Sequence, residues 1–166
     1  MKRCRLLLAL ICLSISPFAG AAGLQWYGAD SWTALRNAHA SHPWIVHLWG
    51  MSCDPCRQEM PAWGRFVHDH PGTQVTFIEI EQAAPPEVES ALAQAGLAGG
   101  DQWLSADGFD AAQRYAIDRR WEGEIPFTLL ISPDGNVKTM TGTMDFRRLA
   151  GWVAAQKAPS AATRTR

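Results

Sequence analysis

Cysteine, excess positive charge and internal repetition are all scarce in this chain. Four cysteines occur in 166 residues. Cys4 and Cys12 lie in an N-terminal stretch that does not read as part of a domain, so one pair is left, Cys53 and Cys56. One close pair is too little for a disulfide scaffold. Without a second CxxC it also supplies only half of a closed tetrahedral zinc site. The formal net charge of −1 argues against nucleic acid as a partner and against tight binding to anionic lipid. No repeat is visible, which excludes a solenoid, and 47% hydrophobic content is enough for a single core.

The one apolar run outside that core comes first. Lys2, Arg3 and Arg5 form a basic start, Leu6 to Ile15 an apolar middle, and Pro17 to Ala22 a small-residue exit. That is the layout of a secretory signal peptide over residues 1–22, with an apolar part short for a membrane anchor. Retention as an uncleaved anchor is the alternative. Loss of the three leader cations leaves 12 basic residues against 16 acidic ones, a net of −4. Export matters because disulfides persist outside the cytosol. One domain is expected over residues 23–157, followed by a disordered tail of alanine, proline and arginine over 158–166.

Periodicity and turn residues order that domain. Ser31 to Ala40 reads as a helix, and Trp44 to Trp49 as a strand covered on both faces. The helix carrying Cys56 runs to about His70 and stops at Pro71-Gly72. Val75 to Glu81 has strand composition, Pro85-Pro86 opens a helix to about Ala95, and Gln102 to Ser105 forms a short strand. Asp110 to Ile117 is a helix. Phe127 to Ile131 and Val137 to Thr141 are strands joined by the Pro133-Asp-Gly-Asn136 turn, and Phe146 to Gln156 closes the domain as a helix. The order βαβα, an inserted piece, then ββα implies an α/β fold with a mixed sheet of four or five strands and helices on both faces.

The stretch Trp49-Gly-Met-Ser-Cys-Asp-Pro-Cys-Arg-Gln-Glu-Met-Pro61 carries the chemistry. A strand ends at Trp49 and a helix begins near Asp54 or Pro55. Cys53 therefore sits at a helix N-terminus, where unpaired N–H groups and the dipole stabilise thiolate. Proline in the first turn costs no hydrogen bond. Cys56 follows one turn later, facing inward, placed to resolve a mixed disulfide on Cys53. A metal site on the pair is the competing reading. The histidines at 39, 42, 47, 68 and 70 show no ligand spacing tied to the cysteines. Copper would find soft ligands in the thiols, Met51 and Met60, although the methionines read first as packing residues.

The W-x-x-x-C-x-x-C-x-x-E-x-P pattern (Trp49, Cys53, Cys56, Glu59, Pro61), Ile125-Pro126 before "FTLLISPDG" and the element order resemble the thioredoxin superfamily. Within it they are most similar to the TlpA/ResA-like group of exported bacterial thiol–disulfide oxidoreductases. The likeness spans Trp26 to Gln156. It implies a thioredoxin-like fold with an inserted αβ segment before the strand that follows Pro126. Cys53 is then the attacking thiol and Cys56 the resolving thiol. Pro126, preceded by Ile125, is the proline held in cis beside the disulfide, shaping a substrate groove with Trp49, Asp54 and Pro55. Glu59, three residues after Cys56 on one helix face, would shuttle a proton to or from Cys56; the plainer reading is a surface glutamate favoured by the dipole. Pro61 must bend or break its helix.

Two positions depart from the pattern. His47 stands six residues before Cys53, where thioredoxin carries a buried aspartate. A polar residue satisfied on an apolar strand is the plainer reading, and a neutral base beneath Cys56 the other. Ser52 replaces an aromatic residue and opens the groove. Asp54 beside Cys53 opposes its thiolate, which points to a reductase rather than a strong oxidant; Arg57 pulls the other way. The resemblance further implies no cofactor and a periplasmic location. It suggests protein substrates with disulfides or thiols, among them apocytochromes c in cytochrome c biogenesis or copper-site proteins, and a membrane thiol donor of the DsbD/CcdA kind. An oxidase or isomerase on the same fold, or a copper-binding module, are the alternatives.

Overall fold

The computed structural model describes residues 23–157, and the expected leader and tail lie outside them. The strands are β1 (Gln25–Tyr27), β2 (Trp44–Trp49), β3 (Gln74–Glu79), β4 (Asp101–Ser105), β5 (Phe127–Ile131) and β6 (Val137–Thr141). The helices are α1 (Ser31–Ala38), α2 (Asp54–Asp69), α3 (Pro85–Gln94), α4 (Ala111–Ile117) and α5 (Phe146–Lys157). The sheet is mixed, in the order β1-β4-β3-β2-β5-β6. The first four strands run parallel, β5 is antiparallel to β2, and β6 is antiparallel to β5. This is the thioredoxin fold, with α3, β4 and α4 forming the inserted segment. The sheet has six strands where four or five were expected. The extra one, β1, has only three residues, too few to show a period of two; its pairing with β4 makes it a strand.

Alternation along β2 separates two cores. Ile45 and Trp49 face one layer with Met60, Trp63 and Phe66 of α2, Val88 and Leu92 of α3, and Leu149 and Val153 of α5. Trp44, Val46 and Leu48 face the other, with Trp32 and Leu35 of α1 and Ile117 of α4. All six residues of β2 are buried, as a continuous apolar run in a parallel sheet requires. His47 falls by the same alternation on the α2 side.

Local chemistry fixes the element ends. Asp110 caps α4 by accepting from the Gln113 amide while the Gln113 side chain accepts from the Asp110 amide. Gly135, at φ 82°, closes the β5–β6 turn in a conformation that side chains disfavour. Helix α2 passes through Pro61 without ending, although that proline has no N–H to give and was expected to bend or break it.

Gly64 lies where α2 meets the end of α3. A Cβ there would stand 1.7 Å from the Ala95 carbonyl oxygen, so the backbone would have to part. Gly64→Ala should cost between about 1 and 3 kcal/mol of stability through overpacking, against the gain in helix propensity that alanine normally brings. The urea midpoint of the purified variant measures it.

Candidate active site

The loop from Gly50 to Ser52 ends β2 and delivers Cys53 to the first turn of α2. Cys53 is the N-cap, in extended conformation at φ −81° and ψ 100°, with Pro55 in the first turn. Its amide donates to the Gly50 carbonyl at 3.3 Å and its carbonyl accepts from the Arg57 amide at 3.1 Å. The Cys56 amide points at Cys53 Sγ at 3.2 Å, so a thiolate there has a backbone donor as well as the helix dipole. Cys53 is half-buried and Cys56 fully buried. Their sulfurs are joined in a disulfide.

The loop before β5 closes over the pair. Ile125-Pro126 is a cis peptide bond, and the Ile125 carbonyl oxygen lies 3.7 Å from Cys53 Sγ. Pro126 is buried and Ile125 half-buried. Asp54 and Pro55 are exposed beside Cys53. Trp49 is buried beneath the loop, where it lines the floor of a cavity of about 680 Å³ with Met51, Arg57, Met60 and Pro86. Asp54 pairs with Arg57 on the solvent side. The two charges that sequence sets against each other thus largely cancel at Cys53, and exposure weakens what is left.

Glu59 and His47 come together beneath the disulfide. Glu59 is buried, not on the surface, and its Oε2 accepts from the Met144 amide at 2.8 Å. His47 is wholly buried, its Nδ1 3.0 Å from Thr128 Oγ1 and its ring 4.7 Å from that of Trp63. His47 Nε2 and Glu59 Oε1 stand 3.2 Å apart. They lie off hydrogen-bond alignment, and neither atom has another partner. Glu59 stands about one turn along α2 from Cys56. Sequence reasoning offered His47 as a polar residue satisfied on the strand or as a base beneath Cys56; strand alternation puts it on the α2 face that carries Glu59. Among the described residues no group of three or more His, Cys, Asp or Glu side chains converges to hold a metal ion.

Sequence reasoning also missed two carboxylates at the end of β3. Glu79 is fully buried and accepts from the amides of Met51 at 3.3 Å, Glu81 at 3.1 Å and Ala83 at 3.4 Å. Burial raises its pKa above the usual carboxylate value, the three amides lower it, and the Glu81 charge raises it again. Glu81 accepts from the Ser52 amide at 2.7 Å and the Ser52 hydroxyl at 2.8 Å.

No protein-family model matches the chain, and neither does any curated protein sequence. Solved structures do. A thioredoxin-family thiol:disulfide interchange protein from Chlorobium tepidum TLS is 18% identical, covers 73% of this chain and 83% of its own, and superposes with a TM-score of 0.59. A putative thioredoxin from Neisseria meningitidis is 23% identical over 76% of this chain and 82% of its own, with a TM-score of 0.58. A secreted thiol-disulfide isomerase from Corynebacterium glutamicum is 15% identical over 72% and 73%, at 0.60. At these identities the likeness is one of fold.

The raised pKa of Glu79 has a sign. A carboxyl that ionises less readily folded than unfolded destabilises the fold once the pH exceeds its folded pKa, and that cost is relieved as the pH falls to the unfolded value. Lowering the pH from about 8 to about 4, through the ordinary carboxylate range, should therefore raise the stability of the unsubstituted protein relative to Glu79→Gln. Parallel urea titrations across that range would read it; a difference that is flat with pH would contradict it.

Proposed function

We propose that this thioredoxin-fold chain is an exported thiol–disulfide oxidoreductase that reduces disulfides in other proteins through Cys53 and Cys56. The observation that carries the reading is the pair itself: one sulfur half-exposed at a helix N-terminus, the other buried one turn on, with the cis-proline loop 3.7 Å from the first.

The exchange follows from that geometry. Cys53 thiolate attacks one sulfur of a substrate disulfide, forming a mixed disulfide and releasing the other substrate sulfur as a thiolate. Cys56 then loses its proton and attacks Cys53 Sγ. The second substrate thiolate leaves, and the Cys53–Cys56 disulfide forms. Two electrons pass to the substrate sulfurs, and two protons balance them. The Ile125 carbonyl oxygen marks where an extended substrate segment would pair alongside Cys53. Glu59, supported by His47, takes the Cys56 proton. Ser52, small and exposed, leaves the approach open.

Return to the dithiol requires a donor outside the cytosol, and a membrane-embedded dithiol protein of the DsbD/CcdA kind fits that need. The periplasm is the location this reading assigns. Among the described residues no helix is long and apolar enough to cross a membrane. Disulfides of apocytochromes c or of copper-site proteins are substrates of the right class. The reductive direction rests on the carboxylates gathered around the pair, which disfavour a strongly stabilised Cys53 thiolate.

Equilibrating the purified protein in thiol–disulfide buffers tests the direction. A reduction potential more negative than about −230 mV is expected, and one above about −150 mV would make the protein an oxidase. The roles of the two sulfurs separate by trapping: Cys56→Ser should accumulate a mixed disulfide with a protein substrate, while Cys53→Ser should form none. Glu59→Gln should slow the second step by about a hundredfold near neutral pH and leave the Cys53–Cys56 disulfide able to form. Stopped-flow tryptophan fluorescence follows that step.

A further inference from the structure

Glu79 and Glu81 take no part in these exchange steps, yet Glu79 binds Met51 and Glu81 binds Ser52, two of the three residues that lead into Cys53. The parallel register sets Glu79 beside Trp49, the last residue of β2, and the Ile80 amide donates to the Trp49 carbonyl at 3.0 Å. One atom, Glu79 Oε1, accepts from both the Met51 and the Glu81 amides. It ties the loop to the strand end that carries Glu81. Glu81 then reaches back with both oxygens, one to the Ser52 amide and one to its hydroxyl. Gly50 completes the seat, because a Cβ there would meet Glu81 Cδ at 2.3 Å and Oε2 at 2.4 Å.

A surface glutamate touching a serine would be ordinary. A fully buried carboxylate chained to it through a shared atom, over a glycine that leaves it room, is a built arrangement. It meets loop 50–52 through the Met51 and Ser52 amides and the Ser52 hydroxyl.

We infer that Glu79 and Glu81 are positioning residues for the dithiol: a two-carboxylate clamp from the end of β3 that orders loop 50–52 and so fixes Cys53 over Cys56. The inference rests on the reading of the pair as a dithiol switch. How readily Cys56 closes on Cys53 depends on their effective concentration, which rises with the order already present in the backbone that carries them. A loosened loop lowers that concentration and weakens the disulfide against the dithiol. Ser52 also gains a role: its hydroxyl meets the second oxygen of Glu81, a contact that an aromatic residue in its place would not make.

Two substitutions at Glu81 separate position from charge. Both Glu81→Ala and Glu81→Gln remove the anion. Only glutamine keeps the seat, its oxygen accepting from the Ser52 amide and its NH2 donating to the hydroxyl oxygen. The equilibrium constant of the Cys53–Cys56 disulfide against glutathione should therefore be lower in Glu81→Ala than in Glu81→Gln by about tenfold, equivalent to about 30 mV. Hydrogen exchange at the Ser52 amide should lose protection in the alanine variant and keep it in the glutamine one. Gly50→Ala, which displaces the carboxylate without touching its charge, should shift the constant in the same direction as Glu81→Ala. Equal constants in the alanine and glutamine variants would overturn the clamp, whether or not both differ from the unsubstituted protein. The potential of the unsubstituted protein reports separately on the reductase reading, so the two ideas fail in different measurements.

Discussion

The redox centre depends on the placing of β2 between a parallel neighbour and an antiparallel one. Because β3 runs parallel to β2, both strands finish at the same edge of the sheet, with Glu79 opposite Trp49. Because β5 runs antiparallel, it starts at that edge, with Phe127 opposite Leu48. The loop after β2, the strand end after β3 and the cis-proline loop before β5 therefore converge with no further device. In open α/β sheets sites form beyond the carboxyl ends of the parallel strands, where the strand order reverses, and β2 is the strand at which direction changes. A slip of one residue in β2 would turn His47 and Trp49 to the α1 side and move the loop that bears Cys53. Complete burial on both faces is what forbids the slip.

Within that frame the pairing of His47 with Glu59 is the costliest local choice. Two titratable groups are buried among Trp63, Phe77 and Met60, and removing polar groups from water costs several kcal/mol unless they are matched. The outer atoms are matched, by Thr128 and by the Met144 amide. The inner atoms face only each other. Apolar residues of the same size would commonly be no less stable there. The proposed proton transfer gives this buried acid and base a reason other than stability. The pair also joins four parts of the fold, β2, α2, β5 and the loop before α5.

What was legible in the sequence was local. Asp54-Pro55 after an apolar strand marks a helix start, the cysteines that flank them mark a thiol pair, and Asp134-Gly135 between two strand-like runs marks a hairpin; neighbours in sequence settle each of these. The cis Ile125-Pro126 bond beside Cys53 was implied only by the resemblance, not by these local signals. The features that sequence reasoning passed over depend on pairing across the sheet. Strand β1 exists because β4 is beside it. His47 could be assigned a face from alternation with Ile45 and Trp49, but not a partner, since Glu59 reaches it only when α2 lies over β2. Glu79 is hidden in a strand of ordinary composition, and no spacing connects it with Met51, 28 positions earlier. Asp54 is the opposite case: its neighbour Cys53 and its ion-pair partner Arg57, three residues on, are both local in sequence.

The surroundings of the dithiol are dominated by carboxylates. With Asp54 paired to Arg57, the acids left near the pair are Glu59, Glu79 and Glu81, and the one ion pair they form among the described residues is with His47. Against them stand the positive end of α2 and the Cys56 amide pointing at Cys53 Sγ. These opposed effects bear on the reduced state, because only the reduced state carries a thiolate. An oxidant of the strong kind draws its power from a dithiol form stabilised by a low thiol pKa. On the proposed reading the helix terminus supplies part of that stabilisation and the β3 carboxylates withdraw part of it. The same two carboxylates order the loop that brings the sulfurs together, which favours the closed disulfide. On the proposed reading, charge and positioning thus act in one direction on the redox equilibrium, towards the closed disulfide that a reductase forms.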